Sequence, residues 1–113
     1  ERQGLSARFA WMAVAERETG NDPLQAIQKL DLDSGATHTW SAAPRGFVSE
    51  PLMVRRPGAE AEDDGWVLDL VWNGGRAASD LVILDARDLS EVAVLELPLA
   101  VPHGLHGSWA PQR

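Results

Sequence analysis

Apolar and polar residues alternate with a period of two through most of the apolar segments of this chain, and a 3.6-residue helical period is hard to find. Such a pattern suits strands with two unlike faces, so an all-β, antiparallel fold is expected. Residues 66–72 (WVLDLVW), 80–85 (DLVILD) and 92–97 (VAVLEL) are segments of similar length. Asn73, Gly74 and Gly75 separate the first two, and Arg87 to Glu91 separate the second two, connections short enough for hairpins. Residues 47–55 (FVSEPLMVR) read as a further extended segment, which makes four strands in sequence. Upstream, residues 8–15 (RFAWMAVA) read as a strand followed by a loop at Gly20, Asn21, Asp22 and Pro23. Residues 26–32 (AIQKLDL) and 36–40 (ATHTW) read as a hairpin around Asp33, Ser34 and Gly35. Pro44 to Gly46 break the pattern, and the acidic stretch PGAEAEDDG at 57–65 reads as a solvated loop.

A weak internal repeat narrows the architecture. Trp11 in AWMAVA and Trp66 in GWVLDL stand 55 residues apart, and Leu30–Asp31 in KLDLDSG and Leu84–Asp85 in ILDARDL stand 54 apart. A period of about 50 residues built from short antiparallel strands suits successive blades of a β-propeller. On the repeat alone, a sandwich or barrel stays open.

Composition removes several function classes. The chain has 113 residues, the size of one domain, with 10 Lys plus Arg against 17 Asp plus Glu and a net charge of -7. It lacks the basic surface that phosphate neutralisation requires, which argues against nucleic acid and against an anionic membrane as partner. With no Cys, a disulfide framework, a thiolate nucleophile and Cys-ligated metals are excluded, and any metal falls to His, carboxylate or carbonyl. The compartment that suits this best is the cytoplasm. No apolar run approaches the roughly 18 to 20 residues of a membrane-spanning helix. The start at Glu1 rather than Met suggests part of a longer product.

The histidines are His38, His103 and His106. His38 falls in an expected strand with no chemical partner nearby and reads as structural or solvent-facing. His103 and His106 lie in VPHGLHG at 101–107, where Pro102, Gly104 and Gly107 disfavour a helix and allow tight bends and close approach. Two histidines three residues apart in such a loop are a candidate metal site, against the alternative of a plain surface loop. Glu50 interrupts the apolar FVSEPLMV, and Pro51 biases it toward extended geometry. Buried, it would need an imidazole N–H or a guanidinium as partner; facing solvent, it needs none. Glu62, Asp63 and Asp64 lack the ligand spacing of a calcium loop.

Residues 48–66 (VSEPLMVRRPGAEAEDDGW), 79–98 (SDLVILDARDLSEVAVLELP) and 101–109 (VPHGLHGSW) together resemble the C-terminal region of the carotenoid cleavage oxygenases, a family that includes lignostilbene dioxygenases and a retinoid isomerase. The resemblance implies a seven-bladed β-propeller with a non-haem Fe(II) on its axis, held by four histidines, several of which hydrogen-bond to glutamates. It makes His106 in GLHG the last of those iron ligands and Glu50 in SEP one of those glutamates, and it puts His103 at a variable position that does not bind iron. Leu105 and Met53 stand where Phe is usual, and Arg55 where Pro is common. No other histidine here matches a ligand.

The expected whole is therefore a protein of which this chain supplies about two blades. Residues 1–46 would be part of one blade, 47–98 a four-stranded blade, and 99–113 a C-terminal segment carrying the iron-ligand motif. Its partners would be the missing N-terminal part of the same propeller, O2, and a small apolar polyene or stilbene cleaved at a conjugated double bond to two carbonyl products. Peripheral membrane attachment of the parent stays open. A non-catalytic truncated propeller or pseudoenzyme that acts as a binding module is the alternative from another class, and a stand-alone metal domain built on His103 and His106 is a third. A piece cut from a propeller would leave blade edges unpaired and one apolar face uncovered.

Overall fold

The computed structural model describes residues 6–17, 23–104 and 106–112. The Gly20 to Asp22 part of the expected loop and Leu105 lie outside them. All regular structure among the described residues is β. Strands β1 (Phe9–Val14), β2 (Ala26–Asp31) and β3 (Thr37–Ser41) form an antiparallel meander. A second antiparallel sheet contains β4 (Gly46–Phe47), β5 (Leu52–Arg55), β6 (Gly65–Asn73), β7 (Ala78–Asp85) and β8 (Glu91–Glu96). Its order is β4-β6-β7-β8, with β5 also paired to β6.

The expected single strand over residues 47–55 is two strands. Phe47 pairs with Trp72 and Leu52 with Leu68, so residues 48–51 face the shorter stretch 69–71 and the ladder breaks there. Pro51 has no N–H to donate. After the break β5 resumes against β6, where a Cβ on Gly65 would stand 2.2 Å from the Val54 carbonyl oxygen. Only glycine allows that approach.

The 54-residue anchor of the repeat corresponds to one turn built twice. Asp31 N–H donates to Ala36 O at 2.9 Å and Gly35 N–H to Asp31 O at 2.8 Å; Asp85 N–H donates to Ser90 O at 2.8 Å and Leu89 N–H to Asp85 O at 2.9 Å. In each turn the Asp side chain also accepts an N–H from two residues on, that of Asp33 or Arg87. Both turns place their fifth residue in the left-handed region, with φ 75° at Gly35 and 60° at Leu89. The tryptophan anchor does not hold. Phe9 lies opposite Asp31 and Trp66 opposite Asp85, so the counterpart of Trp66 is Phe9 and Trp11 is two residues out of register.

Alternation decides how the sheets meet. Val67, Val71, Val82 and Leu84 share one face of the second sheet and pack with Ile27 of β2; Val67, Leu84 and Ile27 have no solvent exposure. Burying each such side chain contributes about 1.5–3 kcal/mol. Trp11, Ala13 and Trp40 border this core from the first sheet. The opposite face of the second sheet carries Leu68, Leu70, Trp72, Leu81 and Ile83, all half-buried, while Leu95 is 49% exposed. That sheet is apolar on both faces, as a layer with a neighbour on each side should be.

The solvated loop expected at 57–65 is instead a clamp between the sheets. Glu62 accepts the N–H groups of Arg8 and Phe9 at 3.1 Å. Asp63 holds the buried Lys29 ammonium at 2.7 Å, and that ammonium also donates to Arg87 O at 2.8 Å and lies 4.1 Å from the Phe9 ring centroid. Asp64 takes Arg56 at 3.0 Å and Arg87 at 2.7 Å, and these guanidinium groups hold its carboxyl below the usual range. Trp11 Nε1 to Ala86 O at 3.1 Å and Trp40 Nε1 to Glu91 at 3.0 Å complete the polar ties.

Candidate functional site

The site is built on the ladder break. There the backbone donors turn away from regular pairing. Val48 N–H donates to Leu24 O at 2.8 Å, on the segment leading into β2. Ser49 N–H donates to Asp69 Oδ1 at 2.9 Å, and Ser49 Oγ donates to Leu70 O at 2.7 Å. A side chain of β6 thus supplies an acceptor that a backbone carbonyl would supply in a regular ladder. Asp69 is 3% exposed, and its other oxygen, Oδ2, has no hydrogen-bond partner among the described residues. Burial pushes its carboxyl up to about 7, against the opposing pull of the Ser49 N–H.

The C-terminal segment is brought to this break by Ser79 at the start of β7. Leu97 N–H donates to Ser79 O and Ser79 N–H to Leu99 O, both at 3.0 Å, and Val101 N–H donates to Ser79 Oγ at 2.8 Å. Beyond this anchor the two loop histidines reach adjacent residues of the break. His103 Nδ1 is 3.3 Å from Ser49 Oγ, and His106 Nδ1 is 2.7 Å from Glu50 Oε2. The serine proton is already given to Leu70 O, so the first contact has the His103 Nδ1–H donating. A carboxylate accepts only, so His106 donates from Nδ1, and in the neutral ring this leaves the lone pair on Nε2.

Glu50 and His106 therefore meet, and of the partners open to Glu50 it is His106 that stands beside it. Their side chains are 53% and 85% exposed, so the pair adds little to stability, and its effect is to fix a tautomer and a ring direction. Among the described residues no three or more His, Asp or Glu side chains gather as a metal site. His103 turns to Ser49, and His38 is exposed on β3. The close approach expected of Gly104 and Gly107 is absent within this chain: a Cβ on either would meet nothing within 4 Å. Of the family departures, Met53 packs against the core and Arg55 donates to Ala59 O at 2.7 Å. Asp69 and Ser79 belong to the architecture of the site and were not expected. The signal for Asp69 was a lone carboxylate in the middle of WVLDLVW; Ser79 had none.

The sequence model of the retinal pigment epithelial membrane protein family, RPE65, matches residues 1–111, and the chain belongs to that family. Apocarotenoid-15,15'-oxygenase of Synechocystis sp. is 48% identical over 112 residues, 97% of this chain and 23% of its own length. Resveratrol cleavage oxygenase 1 of Aspergillus fumigatus is 38% identical over 96 residues, 83% of this chain and 19% of its own length. The crystal structure of cobalt-substituted Synechocystis ACO superposes with a TM-score of 0.91 at 49% identity, over 96% of this chain and 23% of that one. The chain thus spans about a quarter of the length of such relatives, and its sheets are antiparallel blades of a β-propeller.

Proposed function

We propose that the protein containing this chain is a non-haem Fe(II) oxygenase that cleaves a conjugated carbon–carbon double bond of a carotenoid, apocarotenoid or stilbene. Each carbon of that bond would take one atom of O2, giving two carbonyl products. The observation that carries this reading is the 2.7 Å contact between His106 Nδ1 and Glu50. With the Nδ1–H given to the carboxylate, Nε2 is the nitrogen left to bind Fe(II), and the carboxylate fixes the direction of the ring. Bound there, Fe(II) would supply open coordination positions at which O2 is activated.

The remaining work of this chain is positional. Glu50 holds the proton on Nδ1 of His106, and Ser79 anchors the segment that delivers the ring. No base or nucleophile is required from these residues. The other three ligands would come from the rest of the same propeller, to which residues 1–46 would contribute part of one blade, 47–98 a blade of four strand positions in which β4 and β5 both pair with β6, and 99–113 the ligand-bearing segment. The similarity to oxygenases named for apocarotenoid and resveratrol supports the substrate class. In the full-length protein, His106→Ala should abolish both iron binding and formation of carbonyl products from an apocarotenoid or resveratrol. Retention of both would overturn the proposal.

A further inference from the structure

We propose that Asp69 is a positioning residue for the His106 site, acting through Ser49 and Glu50; this rests on the reading of His106 as a metal ligand. Asp69 lies on the core face of β6 between Val67 and Val71, a place where alternation calls for an apolar side chain. A carboxyl there, 3% exposed and with Oδ2 lacking a partner, costs stability, so it needs a compensating role. Its one hydrogen bond identifies that role. Asp69 Oδ1 accepts Ser49 N–H at 2.9 Å, in the break where residues 48–51 have no regular ladder to follow.

That bond fixes the backbone one residue before Glu50. Val48 N–H is tied to Leu24 O on one side and Ser49 Oγ to Leu70 O on the other, so the backbone at 48–49 is held at several points. From that support Glu50 reaches His106 and Ser49 Oγ meets His103. Freed of Asp69, the Ser49 N–H would be left to a break in which Pro51 offers no donor to restore regular pairing. The Glu50 carboxylate would then swing relative to the ring it orients. A carboxyl raised to about 7 by burial is largely neutral in mildly acidic solution, so asparagine, with the same oxygen, is a close match.

The test is the Fe(II) affinity of the metal-free full-length protein, measured anaerobically with the metal alone, alongside the thermal unfolding midpoint. Asp69→Val should weaken Fe(II) binding about 10- to 100-fold, the loss expected when support for a metal-ligating histidine is removed. Asp69→Asn should restore affinity to within about threefold of the parent. A core truncation, Val71→Ala, should lower the unfolding midpoint and leave Fe(II) affinity unchanged, which separates positioning from general softening. If Asp69→Val does not fold, Asp69→Ala decides the matter with less crowding. Parent-like affinity in the Val or Ala variant overturns the inference, as does an equal loss in Asn and Val. His106→Ala measured beside them keeps the two readings apart. Loss of iron there with parent-like Asp69→Val removes this inference alone, whereas retention of iron there removes both.

Discussion

The polar segments on either side of β5 are opposites. After it, at 56–64, Glu62, Asp63 and Asp64 are each engaged by N–H groups or cations, several contributed by the other sheet. Before it, at 48–51, among the described residues Glu50 meets no Lys or Arg and pairs with an exposed histidine, while Asp69 beneath it has one N–H and an unpartnered oxygen. The first set ties the two sheets together. The second takes no donor from the other sheet among the described residues, and its Glu50 orients the His106 ring. In one short stretch of chain, donors drawn from the other sheet separate clamp from site.

The largest way to break the contrast is to unload the clamp. Asp63→Ala would leave the Lys29 ammonium buried on a single carbonyl, at a cost of about 3–5 kcal/mol, read as a lower unfolding midpoint of the full-length protein. Iron content should not change, because no partner of His106 is touched.

Asp69 gives the next effect, and it depends on pH. In the unfolded chain its carboxyl ionises near 3.8, and in the folded one at about 7. Between those values the folded state keeps a proton that the unfolded state has released, so stability falls as pH rises, by at most roughly 4 kcal/mol. The paired Asp31, Asp64 and Asp88 are shifted downward and lose their contribution only as pH falls below the ordinary carboxylate range. Comparing unfolding midpoints at pH 5 and pH 7 therefore isolates Asp69: the parent should lose stability over that interval and Asp69→Asn should not. Parallel profiles would count against the burial argument.

Smaller changes sharpen the comparison. Glu50→Gln keeps an acceptor but lowers its basicity, and should weaken Fe(II) binding about tenfold, which titration of the metal-free protein would read. Unchanged affinity would return Glu50 to a plain surface role. Glu91→Ala removes only the exposed contact to Trp40 and should shift stability by less than about 1 kcal/mol in urea unfolding.

Strands and hairpins were legible because alternation and turn residues are local signals: β1, β2, β3, β6, β7 and β8 all fall where the pattern puts them. The Asp31 and Asp85 turns showed themselves as a repeat for the same reason. The tryptophan match failed because identity of side chain is a weaker guide than the pairing register, which makes Phe9 the partner in the fold. The break at 48–51 was hidden in an apolar run, although Ser49, Glu50 and Pro51 marked it. The clamp was illegible because its partners lie far away in sequence: Lys29 is 34 residues from Asp63, and Arg8 54 from Glu62. His106 and Glu50, 56 residues apart, were each marked through family likeness, with the partner of Glu50 left open between His106 and a histidine from the rest of the propeller, and nothing in their spacing would have joined them.

Of the two histidines in one loop, we propose that the one anchored by Glu50 holds the metal. Iron per chain in full-length His106→Ala and His103→Ala tests it most directly. No bound iron is expected in the first and a full complement in the second; iron retained by His106→Ala, or lost equally from both, would overturn the assignment.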